Sequence, residues 1–580
     1  MGATGRSFQY RSSRRFPAVT EQGQRSGNRL LDIALAIGVG LAAFFVVVGP
    51  KVLDTSNILW LTPMKDSFTH YLGWEFFRRS PLSWPLGLSP DYGLQFSSSI
   101  LFADSVPLLA LPLKLISPWL PAVFQYTGWW TLFCFLLQAY FAARLVGLFS
   151  RDLLVKLGFT ALLVFAPPML WRLSVHFSLV AHWIILASIY LYWAPQTKAR
   201  SLSWLVLMTV SALVHTYFLA MCLPIWLASL IRRPRVAGAL SWPWFIELPV
   251  VLAAMAGALW LGGFFPLRGS MLTFGYGMFS LNLLALINPN GSTFGTPWSW
   301  SAILPVLPQG GGQYEGFNYL GAGGLLAVFA SLPFAWTERA KFAPLRLTLI
   351  IVAAVLLTVF AVSPMVTLAD LQVTIPVPHV IYDLAGSIRS SGRFFWPVFY
   401  LLLLGAVWLL DRRFGSRVVG PALILLAALQ IYDTYPGWGA LRDKFEMDGS
   451  HWSTPLDDPR LATVASHYAN IRAVPVGNSK PGWDQVAYFA LLNGKPTDDV
   501  YLARPNDAEY ARYMSTINGR IAVHALDADS LYFLDLAFAE QLAPTMSAAD
   551  EMFHVGDFYI FAPDWHGFGI TTDLPTDRTP

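Results

Sequence analysis

Charge is what this sequence has least of. Acidic and basic side chains make up 13% of its 580 residues, against roughly 25% in an ordinary soluble domain. With 55% hydrophobic residues and a mean hydropathy of +0.49, a soluble globular protein is excluded. Cysteine is almost absent. Cys134 and Cys222 both lie inside apolar segments, which excludes a disulfide framework and a cysteine metal site and leaves the redox compartment unread. Basic residues collect at the ends of apolar segments instead of forming a patch, so no nucleic-acid partner is expected. A cleavable leader is not evident either, because the polar arm before Arg29 is long and no small-residue cleavage site follows the first apolar run.

What the chain does have is apolar runs of membrane length, repeated along most of it. The fold class they predict is a polytopic α-helical membrane protein with about eleven spans. Residues 1–29 carry six arginines, among them Arg6, Arg25 and Arg29, and the positive-inside rule puts this arm in the cytoplasm. Residues 30–435 then form the transmembrane domain, with long outer loops at 51–123, 266–318 and 363–393. Leu101 to Leu115 is apolar but short and broken by two prolines, so it reads as a surface or re-entrant piece. Trp204 to Leu230 lies between two basic clusters that both prefer the cytoplasm. It should be a hairpin of two short helices turning near His215-Thr216. From about Pro436 the apolar runs shorten to strand length. Residues 436–580 therefore read as a C-terminal α/β domain, with strands near Ile471, Leu531 and Phe558 and helices near Leu461 and Ala508. An odd number of spans puts that domain on the outer face, the periplasmic side of a bacterial inner membrane.

Polar groups able to do chemistry collect on that outer side: Asp66, His70, Asp91, Asp104, His176, Glu315, His379, Asp383, Arg389 and Arg393. Asp66 and His70 stand four residues apart just past the first span, which places them on one face of a helix. Phe68 to Arg79 suits a helix lying in the headgroup layer. Asp66 also has a plain reading, as the cap of a helix that begins near Ser67. Asp91 and Asp104 read first as turn or cap residues. At mid-membrane only His182 and His215 stand out, and each fits a satisfied core histidine.

This layout resembles the GT-C superfamily of integral-membrane glycosyltransferases that use polyprenyl-phosphate sugars. Lys65-Asp66 in the first outer loop and the helix after it carry the resemblance. Ala166-Pro167-Pro168 at one span end and Ser390-Ser391-Gly392-Arg393 leading into another add to it. The likeness covers roughly residues 30–435 and is closest to bacterial members, without naming a sugar or an acceptor. It implies Asp66 and His70 as catalytic groups. It also implies a donor and acceptor site drawn from Arg389, Arg393, His379, Glu315 and Trp74. The partners it implies are a polyprenyl-phosphate sugar, a cell-surface glycan or lipid-linked acceptor, and membrane lipid. Asp66 is followed by Ser67 and so lacks the paired acidic residues of several such enzymes; a divalent metal is therefore not indicated. Two other readings stay open: a transporter or flippase of a lipid-linked glycan, and a non-catalytic assembly partner with an outer binding domain.

Overall fold

The computed structural model describes residues 27–96, 98–195, 199–232, 242–265, 275–293, 296–338, 344–477, 481–501, 507–569 and 572–576. The basic arm before residue 27 lies outside them, as do Lys198, Arg233, Arg235, Arg339 and Lys341 of the expected inner loops.

Among the described residues, seven helices are long and apolar enough to cross a membrane, and four shorter apolar helices stand where the other spans are expected. The chain is a multi-pass membrane protein. It opens with α1 (Gly27–Val47), the helices α2 (Lys65–Arg79) and α3 (Pro107–Leu115), and the span α4 (Thr127–Val146). At nine residues α3 is far too short to cross. The next span runs through α5 (Leu153–Val164) and α6 (Pro167–Trp171). It breaks where Pro167 and Pro168 remove two backbone donors. Then come α7 (Trp183–Trp193), α8 (Arg200–Val214) and α9 (Thr216–Ile231). Only His215 separates the last two, so the expected hairpin turns where the sequence put it. His215 is extended (φ −166°) and caps α9, its Nδ1 accepting the Tyr217 amide at 3.1 Å. The spans α10 (Trp242–Leu261), α11 (Gly321–Glu338) and α12 (Pro344–Val362) follow.

An unanticipated hairpin, β1 (Met365–Leu368) with β2 (Leu371–Thr374), and α13 (His379–Gly386) occupy the loop between α12 and the next span. The last spans are α14 (Trp396–Phe414) and α15 (Ser416–Gly439), followed by the single turn α16 (Arg442–Phe445).

Hydrophobicity cannot glue helices together inside lipid, so close packing has to. Helix α5 packs on α15 through facing glycines. A Cβ on Gly158 would meet the Leu423 carbonyl carbon at 2.7 Å, and one on Gly420 would meet the Leu154 Cβ at 2.8 Å. Near the far end of α1, Asp32 accepts from Lys156 Nζ (2.5 Å) and Arg144 Nη1 (3.1 Å). Lys156 is thus fully buried.

The C-terminal region holds α17 (Pro459–Ser466), β3 (Asn470–Val474), α18 (Trp483–Leu492), α19 (Asp507–Ala522), β4 (Ser530–Leu534), α20 (Leu536–Leu542), β5 (Glu551–Val555) and β6 (Phe558–Ala562). The sheet order is β3-β4-β6-β5. β3 and β4 run parallel, with α18 and α19 in the crossover that such a pair needs, and the remaining pairs are antiparallel. The sequence reading missed β5, α18 and α20; the apolar runs of β5 and α20 are brief, but that of α18 spans Val486 to Leu492.

That domain rests on α2. Residues Ser67 to Phe77 are all buried, so α2 is not the headgroup-layer helix expected from its aromatics. Phe68 meets the rings of Trp452 (4.9 Å) and Tyr488 (5.6 Å), and Arg79 donates to the Leu491 carbonyl (3.0 Å). Nearby, the Gly93 amide donates to the Thr497 carbonyl (2.8 Å) and the Thr497 amide to the Asp91 carbonyl (3.0 Å). Within α2, Glu75 has no solvent exposure and is clamped by Arg78 (3.0 Å) and Arg79 (2.7 Å).

A Gly158→Leu chain has to separate α5 from α15. Overpacking of this kind destabilises by about 1–3 kcal/mol. Thermal unfolding in detergent should show a lower midpoint, and an unchanged midpoint would mean that the close crossing is not needed.

Candidate active site

A cavity of about 360 Å³ opens where the first turn of α2, the loop before α3, the α8–α9 turn and the segment before α14 converge. Asp66 lines it. The N-cap of α2 is Met64, which makes no side-chain cap bond, and Asp66 lies inside the first turn. Asp66 is therefore not the cap residue. Its carboxylate gains from the positive end of the helix dipole. Among the described residues, no cation or hydrogen-bond donor is paired with it. Tyr501, from the loop after α18, shares the cavity wall. Burial first, and the Asp66 charge second, push the Tyr501 phenol up to about 12.

The polar hub is Asp104, which the sequence offered chiefly as a turn residue. A turn it is: Asp104 (φ +58°) and Val106 (φ +48°) both lie in the left-handed region. For a β-branched valine that is a real strain, on the order of 1–3 kcal/mol. The turn delivers the Asp104 carboxylate to three imidazoles. His215 Nε2 lies 3.4 Å from Oδ1, His176 Nδ1 3.5 Å from Oδ2, and His70 Nε2 3.9 Å from Oδ2. Ser178 donates to Oδ1 at 2.6 Å. Because His215 Nδ1 accepts from Tyr217, its ring proton in the neutral form sits on Nε2, facing Asp104. Burial alone would raise the Asp104 carboxyl, but the imidazoles and their hydrogen bonds hold it well below the usual carboxylate range. His70 is pushed down by burial, with the Asp104 charge acting against that.

Beside this hub lies an ion triad. Glu315 accepts from Arg172 Nη1 (2.7 Å) and, bidentately, from Arg393 Nε (2.8 Å) and Nη2 (2.6 Å). One carboxylate against two guanidiniums leaves a surplus positive charge at the cavity wall. The guanidiniums are also stacked, Arg172 over Trp171 (4.5 Å) and Trp396 (4.9 Å), Arg393 over Tyr217 (4.7 Å). Burial would raise the Glu315 carboxyl, yet Arg393 and Arg172 hold it well below its ordinary value. Arg389, also in the wall, lies 4.7 Å over Phe279 and has no carboxylate partner among the described residues.

Of the residues singled out from sequence, Asp66, Glu315, Arg389 and Arg393 line the cavity. His70 stands one layer behind, buried, with Nδ1 2.6 Å from the Asp104 carbonyl. Asp91, Asp383, His379 and Trp74 do not line the cavity. His379 is exposed at the start of α13. Trp74 is buried in a separate aromatic cluster, its indole N–H bonded to the Phe124 carbonyl at 2.9 Å. Trp298 and Trp300 are likewise packed with one another (5.1 Å) rather than open to the cavity. The reading underrated Asp104 and His215 and missed Arg172, Tyr217 and Tyr501. The available signal was positional: His176 and His215 both sit at the ends of apolar segments.

Replacing Glu315 by Gln leaves two buried guanidiniums facing each other. Breaking a buried pair in this way is worth about 3–5 kcal/mol. The wild-type contribution of a depressed carboxyl is present above the unfolded value, about 4.3, and fades as pH falls toward the folded one. Melting curves from pH 7 to 3 should show Glu315→Gln less stable at neutrality, with the difference shrinking in acid. A constant difference would sink this account.

A family model described as "Domain of unknown function (DUF6311)" matches residues 37–435, and one described as "DUF6311 C-terminal domain" matches residues 460–563. No curated protein matches the chain. Among solved structures, the oligosaccharyltransferase of Archaeoglobus fulgidus in its apo form aligns at 9% identity over 94% of this chain and 75% of that one, with a TM-score of 0.44. The same organism's oligosaccharyltransferase AglB, in complex with an inhibitory peptide and a dolichol-phosphate, aligns at 10% identity over 93% of this chain and 76% of that one, with a TM-score of 0.42. ArnT from Cupriavidus metallidurans bound to undecaprenyl phosphate aligns at 12% identity over 92% and 97%, with a TM-score of 0.36. At such scores the likeness is one of outline.

Proposed function

The chain belongs to the family described as a domain of unknown function (DUF6311), and from the site it carries we propose a membrane glycosyltransferase of the GT-C type. The donor is a sugar on a polyprenyl phosphate, and the acceptor a cell-surface glycan or lipid-linked glycan on the periplasmic face. The observation that carries this reading is the pairing, in one cavity, of an unengaged carboxylate with a cationic wall. Asp66 faces the space, and Arg389 and the Arg172–Glu315–Arg393 triad border it.

The chemistry follows from charge. Asp66 takes the proton of the acceptor hydroxyl as its oxygen attacks the anomeric carbon. The bond from that carbon to the phosphate oxygen breaks, and its electron pair leaves with the lipid phosphate. Arg389 and the net positive triad stabilise the charge gathering on that oxygen. His70 touches no substrate in this scheme. It positions Asp104, whose carboxylate orients His176 and His215 at the cavity rim. Tyr501 brings the C-terminal domain to the acceptor side.

Asp66→Asn keeps the shape and removes the basicity, so the protein should fold normally while transfer from a polyprenyl-phosphate donor falls about 10²–10⁴-fold. A folded variant with wild-type rates would remove Asp66 as the base. Orientation is checked separately with a cysteine introduced at exposed Thr463. An impermeant maleimide should label it in intact spheroplasts, and labelling only after permeabilisation would place the domain on the wrong side for this reaction.

A further inference from the structure

His70 is the least explained group in the site. Its side chain is 3% exposed, and both of its ring nitrogens face carbonyl oxygens: Nδ1 lies 2.6 Å from Asp104 O and Nε2 3.1 Å from Val175 O. A neutral imidazole carries one N–H. The shorter contact takes it, which leaves the Nε2 lone pair aimed at an oxygen lone pair. A second ring proton or a bound cation relieves that opposition, and the cluster around Nε2 suits a cation. The carboxylate nearest that lone pair is Asp104, with Oδ2 3.9 Å away, and Oδ2 is in turn 3.5 Å from His176 Nδ1. One ligand atom from each of His70, Asp104 and His176 lies within 4.8 Å of the other two.

The geometry points to a transition-metal site formed by His70 Nε2, His176 Nδ1 and Asp104 Oδ2, with the Val175 carbonyl as a neighbouring oxygen. Ligand atoms around a tetrahedral zinc, bonded at about 2.0–2.1 Å, stand about 3.4 Å apart. Asp104 Oδ2 lies 3.5 Å from His176 Nδ1 and 3.9 Å from His70 Nε2, near that spacing, and all three ligand atoms lie within 4.8 Å of one another. The second layer is already built. A ligating imidazole usually donates its other N–H to a carbonyl or carboxylate, which fixes its tautomer. His70 does so to the Asp104 carbonyl. His215 and Ser178 hold the other Asp104 oxygen at 3.4 and 2.6 Å, orienting the carboxylate. His215 itself is not a ligand, because its Nδ1 lone pair is committed to the Tyr217 amide. Two imidazoles with one carboxylate favour zinc over magnesium or calcium, which prefer oxygen alone. Asp104 and His176 line the cavity, so the remaining coordination position is open to an anionic oxygen entering it. The spacing in the sequence hid this set, since its members come from three segments.

The inference goes beyond the transfer reaction and is tested without donor or acceptor, so either can fail alone. The full chain, purified in detergent without added metal, should hold about one zinc per molecule by elemental analysis. Chelator-treated protein titrated with Co²⁺ alone should develop the visible absorption of a four-coordinate ion and saturate near one equivalent. His176→Ala, checked for a wild-type melting midpoint after chelation, should weaken binding at least about 10-fold in competition with a chromogenic chelator; His176→Gln serves if the alanine variant fails to fold. His379→Ala, away from the cluster, should bind like wild type. Absence of zinc together with no saturable Co²⁺ spectrum overturns the site. So does unchanged binding in the folded His176 variant, or nitrogen chemical shifts showing His70 doubly protonated at neutral pH in the metal-free and metal-supplemented protein alike.

Discussion

Everything around the cavity depends on one carboxylate caught between two guanidiniums. Glu315 comes from the loop before α11, Arg172 from the end of the kinked span and Arg393 from the start of α14. No two of these segments are neighbours in sequence. Each arginine alone would be a buried charge of prohibitive cost, and together without Glu315 they would repel. The triad is therefore what allows two span ends to approach and enclose a cavity, and it leaves one surplus guanidinium charge at one wall, across from the Asp66 carboxylate. The aromatic faces of Trp171, Trp396 and Tyr217 complete the solvation that water would otherwise supply.

The second constraint is the treatment of α2. A helix with a glutamate and two arginines at its end would ordinarily keep one face in water. Here the membrane helices take one side and the C-terminal sheet domain the other, so Glu75 has to be neutralised within the helix itself by Arg78 and Arg79. That internal clamp lets the first turn, with Asp66, be held rigidly between two bodies.

How much of this could be read beforehand follows from the range over which each feature is encoded. The spans were legible because lipid demands long apolar runs, and the turn at His215 was legible from the basic clusters on either side. Asp66 was legible from its distance past α1. The surroundings of Asp104 were not. Its left-handed backbone is invisible in residue type, and its partners His70, His176 and His215 come from three separate segments. The burial of α2 was unreadable for the same reason: nothing in Phe68 to Arg79 announces that Trp452 and Tyr488 will cover it. Trp74 and His379 show the converse error. Residue types suited to sugar binding were credited for chemistry when one fills an aromatic cluster and the other lies exposed.

The covering of α2 also orders events in time. Phe68 and Arg79 find their partners in Trp452, Tyr488 and Leu491, all of which leave the ribosome after the last span. Until the sheet domain has folded, the helix carrying Asp66 has one bare flank and the cavity lacks Tyr501. Completion of the pocket is therefore tied to the last part of the chain: the spans can be in place while one wall of the cavity is still missing.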